Sequence, residues 1–464
     1  MLAALAIRVA YVAAEPYHAI NDAGTYNRLA SMVSRYGDYH TGSGPHTGAG
    51  GSRGPTAYFP PAFPYLLAVA DLIDGHEAGG RTAVPAERIE MAALGTASVG
   101  LVGLVALEAL GSAPALAALA IAAVYPVMVE LSGTLVAENL LVALELAATW
   151  AMLRSRRSRG RRTYAWLAAA GALAGLGALA HENAALYLIP LAAAAWTGAR
   201  GRGARGLRAL ASPGLVATCA ALAVLPWTIR NAVELHSFVP ISDETGITLL
   251  GTYNAQSAAN PLVPYKWKLF LKIPQLRSLR LAAHHETEPQ LSGTLQTRAL
   301  SYISAHPLAP LQVSFDNTLR MLELEGSYAW KASATAIGLR VSVARIGVFG
   351  FWALCLLAIA GAFTGAARAA PRWLWTLPLL YWISIAPVNV ETPRFREPID
   401  PFLVLLAACA LSAALARLRP GPGGSPGPAW SATGHPPGSH PPQDWAVRQS
   451  GVVGGRASAR EPAS

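Results

Sequence analysis

Charge is what this chain has least of. Only 13% of its 464 residues are Asp, Glu, Lys or Arg, while 53% are apolar; soluble domains carry roughly a quarter charged residues to clothe their surfaces. The long uncharged stretches therefore exclude an ordinary soluble protein and point to a membrane as solvent. Cysteine is almost absent as well. Cys219, Cys355 and Cys409 all fall in apolar segments, which excludes a disulfide framework. There is no C-x-x-C pair, no phosphate-cradling G-x-x-x-x-G-K-[ST] and no H-E-x-x-H.

What is present is a series of apolar runs, each close to the roughly 20 residues that cross about 30 Å of hydrocarbon. Nine good runs and a short first one lie near residues 1–14, 90–110, 113–131, 134–153, 163–180, 184–197, 209–230, 341–364, 373–390 and 398–416. The expected fold is all-α, a polytopic membrane protein of about ten transmembrane helices with two outer-face loop regions. The first run is the weak member, because it is too short to span and carries Arg8 in its middle; it reads as a strained helix or as the end of a longer one. No small-residue cleavage site precedes Asp22, which argues against a signal peptide.

A net charge of +10 suggests a nucleic-acid partner, but its distribution argues otherwise. Arg154, Arg156, Arg157, Arg159, Arg161 and Arg162 fill one short inter-helix loop, and Arg200, Arg202, Arg205 and Arg208 another. The positive-inside rule makes both loops cytoplasmic, so residues 163–197 form a hairpin with His181, Glu182 and Asn183 at its outer turn. Counting outward places Arg368, Arg372, Arg417 and Arg419 inside and both termini in the cytoplasm. Residues 1–416 form the membrane domain, with an outer loop at 15–89 and an outer region at 231–340. Residues 417–464, rich in Pro, Gly and Ser, read as a disordered cytoplasmic tail.

The ionisable residues outside the basic loops collect toward the outer face, and a charge at a membrane edge is a site hypothesis by default. Asp22 stands where the first apolar run emerges, in Asn21-Asp22-Ala23-Gly24-Thr25-Tyr26. Its bland reading is a cap on a helix over residues 26–33. Glu138 opens the fourth helix and reads equally as a glutamate complementing the helix dipole; Glu145, two turns deeper on the same face, needs a buried partner and reads as structural. Arg230, Arg394 and Arg396 are outer-face cations, Arg230 also serving as an interfacial anchor. His181 and Glu182 read as a solvated turn, and His306-Pro307 as the end of an outer helix. His284-His285-Glu286 has no second ligand pair at metal spacing, so no metal and no cofactor are expected. The outer loop also holds a flexible Gly/Ser stretch, Thr41 to Gly54, and the rigid aromatic turn Tyr58 to Tyr65. The outer region carries Tyr265-Lys266-Trp267-Lys268-Leu269-Phe270-Leu271-Lys272, an interfacial segment with snorkelling lysines.

Taken in order, Asp22-x-x-x-Tyr26, Pro60-Pro61-x-x-Pro64, Leu225-Pro226-Trp227-Thr228-Ile229-Arg230-Asn231, Phe238-Val239-Pro240-Ile241-Ser242, His306-Pro307 and Arg394-Phe395-Arg396-x-Pro398 resemble glycosyltransferase family 39. That family includes protein O-mannosyltransferases and aminoarabinose transferases, membrane glycosyltransferases of the GT-C class. The resemblance runs from about Leu5 to Leu415, and the Pro-Trp-Thr-Ile-Arg-Asn and Phe-Val-Pro-Ile-Ser pair is its most specific part. It implies a multi-pass cell-membrane enzyme that moves a hexosyl or pentosyl group from a polyprenyl-phosphate-linked sugar donor to an extracytoplasmic acceptor, a glycan, lipid or protein. Asp22 would then be the base and Glu138 would orient the donor sugar or support the cationic transition state. Arg394, Arg396 and Arg230 would bind the donor phosphate, since forked guanidiniums suit its oxygens. The family often has a second acid directly after the aspartate; here it is Ala23, which removes a two-carboxylate role from this loop. A polytopic transporter of a polar or lipid-linked solute is the rival reading, but the two halves of the chain do not echo each other as transporter repeats do. A non-catalytic scaffold that has kept the fold is a third.

The topology places Asp22 and Arg394 on one face, and that is directly measurable. Cysteines introduced at Gly48 and Ser327 are expected to react with a membrane-impermeant thiol reagent in intact cells, and one at Ser158 to be protected. Labelling at Ser158 with protection at Gly48 inverts the arrangement.

Overall fold

The computed structural model describes residues 1–41, 54–74, 84–282 and 286–418. Most of the Thr41 to Gly54 stretch, His284, His285 and the expected tail from residue 419 onward lie outside the described residues. Apart from a two-residue antiparallel ladder of His40–Thr41 with Gly54–Pro55, the regular structure is helical. The chain begins with α1 (Leu2–Ala14), α2 (Asn21–Tyr36) and α3 (Ala62–Asp74), the latter two within the first outer loop, and goes on to α4 (Val84–Leu110), α5 (Ser112–Val124) and α6 (Pro126–Leu131). It continues through α7 (Glu138–Arg157), α8 (Arg161–Ala180), α9 (Leu188–Gly201) and α10 (Ala211–Glu234). The outer region supplies α11 (Thr245–Thr252), α12 (Ala255–Ala258), α13 (Arg277–Ala282), α14 (Glu288–Ala305), α15 (Ala309–Met321) and α16 (Ser327–Ala336). The chain then returns through α17 (Val341–Ala362), α18 (Gly365–Ala369), α19 (Arg372–Ile385) and α20 (Asp400–Leu418).

By length and apolarity, five of the described elements can cross a membrane: α4, α8, α10 with the 3-10 turn before it, α17 and α20. Several of the other expected runs form shorter or divided helices. Pro126 divides the run at 113–131 into α5 and α6, because proline tolerates only the first helical turn. The run at 184–197 starts as a 3-10 turn, Glu182–Tyr187, so that α9 has only 14 residues. Helix α19 also has 14, with Pro378 inside it. Arg8, the oddity of the first run, is fully buried and explains itself. Its guanidinium donates to Ser132 Oγ at 3.1 Å and to the carbonyls of Ala122 and Ala123, orphan acceptors at the C-terminal end of α5.

Helices α8 and α10 meet over glycine. A Cβ on Gly171 would lie 2.3 Å from the Val216 carbonyl oxygen, and one on Gly175 would lie 2.5 Å from that of Ala220. This small-xxx-small spacing lets two backbones touch where lipid supplies no hydrophobic drive. The outer region has its own apolar core, built on Ile247, Leu250, Phe270, Leu295 and Val313. His306 ends α14, as the following proline dictates.

One polar clasp ties the first outer loop to this region. Glu288, in the first turn of α14, accepts from the Ala57 N–H at 2.8 Å and the Thr56 hydroxyl at 2.7 Å. Burial raises its pKa to about 7, against the lowering pull of the Thr56 and Ala57 hydrogen bonds. The clasp holds Tyr58 and Phe59 in place just beyond it.

Replacing Gly175 with leucine is expected to lower the melting temperature in detergent sharply, since overpacking a tight contact costs about 1–3 kcal/mol; Gly214→Ala, where nothing lies within 4 Å of a new Cβ, should be neutral. Equal melting temperatures would remove the close α8–α10 contact. The Glu288 carboxyl holds its proton more tightly folded than unfolded, so its contribution is full below about pH 4.3 and fades as pH rises through about 7. Thermal stability of the wild type should therefore decline across that window. Glu288→Gln, which mimics the protonated acid, should flatten the decline, and an unchanged slope would clear Glu288 of the effect.

Candidate functional site

The specific motif pair of the sequence is a hydrogen-bonded lock. From α10, Trp227 Nε1 donates to the Ile241 carbonyl at 2.6 Å, Thr228 Oγ1 to that of Pro240 at 2.8 Å, and Asn231 Nδ2 to that of Val239 at 3.0 Å. Three side chains of one motif thus satisfy three successive carbonyls of the other, which fixes the path of the chain into Ser242, Asp243 and Glu244. Arg230 reinforces the same junction. Its Nη1 and Nη2 donate to the carbonyls of Thr56 and Tyr39 at 2.7 and 2.6 Å, and its guanidinium lies 4.9 Å from the Trp227 ring. It is a structural tie that does not line the cavity described next.

That cavity, of about 490 Å³, opens between α2, the turn at Tyr58 and Phe59, the outer region and the loop before α20. Asp22 lines it. The helix that carries Asp22 starts at Asn21, with Ile20 at its cap position, so the carboxylate stands inside the first turn and is not a cap. It accepts from Arg394 Nη1 at 2.7 Å, with 41% of its side chain exposed. Glu138, also in the first turn of its helix, accepts from Arg394 Nε at 2.9 Å and is wholly buried. Arg394 therefore bridges an open carboxylate and a sealed one. Burial opposes its charge, but Glu138 and Asp22 more than offset this and hold its pKa well above the ordinary arginine value.

Of the five residues named from sequence, the structure brings together Asp22, Glu138 and Arg394. Glu138 does not line the cavity and reaches it only through the guanidinium. Arg396 is corrected outright. Its guanidinium is buried in the bundle, bonded to Glu323 at 2.9 Å and Asp400 at 3.2 Å and stacked 3.5 Å over Phe351, with no exposure to a headgroup. Arg394 and Arg396 occupy one 3-10 turn, Arg394–Arg396, and point to different surroundings.

Two further acids lie at or beside the cavity: Glu244, which the sequence did not single out, and Glu182, which it left as a turn residue. Glu244 lines the cavity, delivered there by the motif lock. Burial, followed by the negative charges of Glu182 and Asp22, pushes its pKa well above the carboxylate range, against the pull of Arg394. Glu182 accepts from the Ser242 hydroxyl, and His181 packs edge-on to Tyr381 and Phe395 at 6.4 and 6.0 Å. The turn expected to be solvated is half-buried, and burial lowers the His181 pKa. Its signal in the sequence was proximity to the hairpin tip alone. Glu145 lines a small intramembrane pocket with Tyr187, away from the cavity.

Residues 59–229 match the family described as dolichyl-phosphate-mannose-protein mannosyltransferase. No curated protein sequence matches the chain. Among solved structures, the archaeal oligosaccharyltransferase AglB from Archaeoglobus fulgidus, in complex with an inhibitory peptide and a dolichol-phosphate, aligns with 90% of this chain at a TM-score of 0.50 and 15% identity. ArnT from Cupriavidus metallidurans, bound to undecaprenyl phosphate, aligns with 90% of the chain at a TM-score of 0.42 and 14% identity, covering 77% of its own length. The chain spans about half the length of the oligosaccharyltransferase it matches. By its helices, its motifs and these similarities, the chain is a multi-pass membrane protein of the GT-C fold, similar over residues 59–229 to the dolichyl-phosphate-mannose-protein mannosyltransferases.

Proposed function

We propose that this chain is a membrane glycosyltransferase that moves a sugar, hexosyl or pentosyl, from a polyprenyl-phosphate donor to an acceptor hydroxyl at the extracytoplasmic face, both termini being cytoplasmic. The observation that carries the reading is Asp22, a carboxylate open to the cavity and fixed from behind by the Arg394–Glu138 pair. In the transfer, the acceptor oxygen forms a bond to the anomeric carbon while the bond from that carbon to the phosphate oxygen breaks. Asp22 accepts the acceptor's proton, and the electron pair of the broken bond leaves with polyprenyl phosphate. Arg394 sets the direction of the Asp22 carboxylate and offers positive charge beside the reacting centre. Glu138 is a positioning residue, since its sealed carboxylate acts on the site by holding Arg394. Glu244, whose proton affinity is raised by burial, lines the same cavity and is available to hydrogen-bond a sugar hydroxyl.

Asp22→Asn keeps shape and hydrogen bonding but removes the base. Single-turnover transfer from a panel of labelled polyprenyl-phosphate sugars in membranes should fall by roughly 10² or more, with donor binding retained at normal protein levels. Arg394→Lys should lose both rate and donor affinity, because a point charge cannot bridge two carboxylates through fixed donors. A near-native rate for Asp22→Asn would remove Asp22 as the base.

A further inference from the structure

The lipid-linked donor brings a phosphate, and the arginines nominated for it are already engaged. Arg394 is shared between Asp22 and Glu138, Arg396 between Glu323 and Asp400, and Arg230 between two backbone carbonyls. The cavity wall itself supplies an alternative. The segment Trp267–Lys272 lines one side of it without interruption. The chain has only four lysines against 32 arginines, all four between residues 266 and 331, and three of them stand in or beside this segment. Lys266 is committed: its ammonium lies 3.7 Å from Glu391 and donates to Ser333. Lys268 and Lys272 both line the cavity, and among the described residues neither ammonium has a hydrogen bond or an ion pair.

The segment is a built wall. Trp267 Nε1 donates to the Ile247 carbonyl at 3.3 Å, the Lys268 N–H donates to the Gly251 carbonyl at 3.1 Å, and Phe270 is fully buried in the outer core. A Cβ on Gly251 would fall 2.2 Å from Trp267 Nε1, so the indole seats only against glycine. Lys268 is thus pinned on either side, and its half-buried stem leads to a fixed point on the cavity wall. Of the charges that line the cavity, Arg394 is met by Asp22 and Glu391 by Lys266 behind it, while Glu244, Lys268 and Lys272 have no ion pair among the described residues.

We propose that Lys268, with Lys272 at the exposed edge, binds the phosphate of the polyprenyl-phosphate donor, and that Leu269 and Leu271 beside them receive the start of its isoprenoid chain. The inference rests on the reading of a polyprenyl-phosphate donor and names its headgroup site. A lysine ammonium binds phosphate as a point charge with rotatable donors. The phosphate gains negative charge as the sugar bond breaks, so Lys268 holds the leaving group more tightly than the donor.

Binding of undecaprenyl phosphate and of neutral undecaprenol to the purified full chain in nanodiscs separates the possibilities. The wild type should prefer the phosphate. Lys268→Gln should weaken phosphate binding at least tenfold and leave undecaprenol unchanged, Lys268→Arg should recover part of the loss, and Lys331→Gln, whose lysine stands by the Trp330 ring away from the cavity, should bind as wild type. A wild type that prefers the phosphate alongside a Lys268→Gln protein that binds it equally well overturns the Lys268 site alone. A wild type with no preference for the phosphate overturns the donor reading and this site with it.

Discussion

Everything at the outer face depends on one buried cation. Arg394 reaches 372 residues back to Asp22 and 256 back to Glu138, so one guanidinium joins α2, α7 and the loop before α20. Removing one partner from such a buried pair typically costs about 3–5 kcal/mol, because it leaves a charge uncompensated. The fork is what makes the joint directional: Nε serves the sealed glutamate and Nη1 the open aspartate, and neither can shift without the other. A lysine has the charge but no such geometry.

Two residues on, Arg396 repeats the device for the opposite purpose. Its carboxylates, Glu323 and Asp400, are both buried, and Asp400 also accepts from the Tyr125 hydroxyl at 2.7 Å. The Arg-Phe-Arg turn therefore divides its labour by direction. Arg394 faces the cavity, Phe395 packs against His181, and Arg396 locks α20 to the end of α15 and, through Asp400, to Tyr125 before α6. Rigid support directly behind Asp22 is what the proposed proton transfer would require of it.

The sequence disclosed types and positions better than partners. Asp22, Glu138 and Arg394 were legible because an ionisable residue at the edge of an apolar run is costly unless it has a task. The start of α7 at Glu138 and the stop at His306 were legible from local chemistry. Arg396 and Arg230 were not, since a phosphate-binding arginine and a buried tie look alike until their long-range partners are known. The helix boundaries within the apolar runs were hidden for a related reason: apolarity alone does not reveal that Tyr125 and Pro126 divide a run, or that residues 182–187 wind as a 3-10 turn. Glu244 was hidden in an outer loop, and only the fit of Trp227, Thr228 and Asn231 onto the carbonyls of residues 239–241 brings it to the cavity.

The charge balance of the cavity connects these parts. Asp22, Glu244 and Glu391 line the cavity with Arg394, and Glu138 lies behind that guanidinium; ionised carboxylates there would repel an incoming phosphate. Burial, with the negative charges of Glu182 and Asp22, raises the proton affinity of Glu244 and so works against a further full charge there. Glu138 and Asp22 spend their charge on Arg394. Glu391 meets Lys266, so what remains is Asp22 from α2 and, from the 267–272 segment, two ammonium groups with no ion pair among the described residues. In the proposed reading the base and the phosphate site come from different segments, Asp22 from α2 and Lys268 from the 267–272 stretch, so that an anionic donor and a proton-accepting carboxylate would share one chamber without competing for one contact.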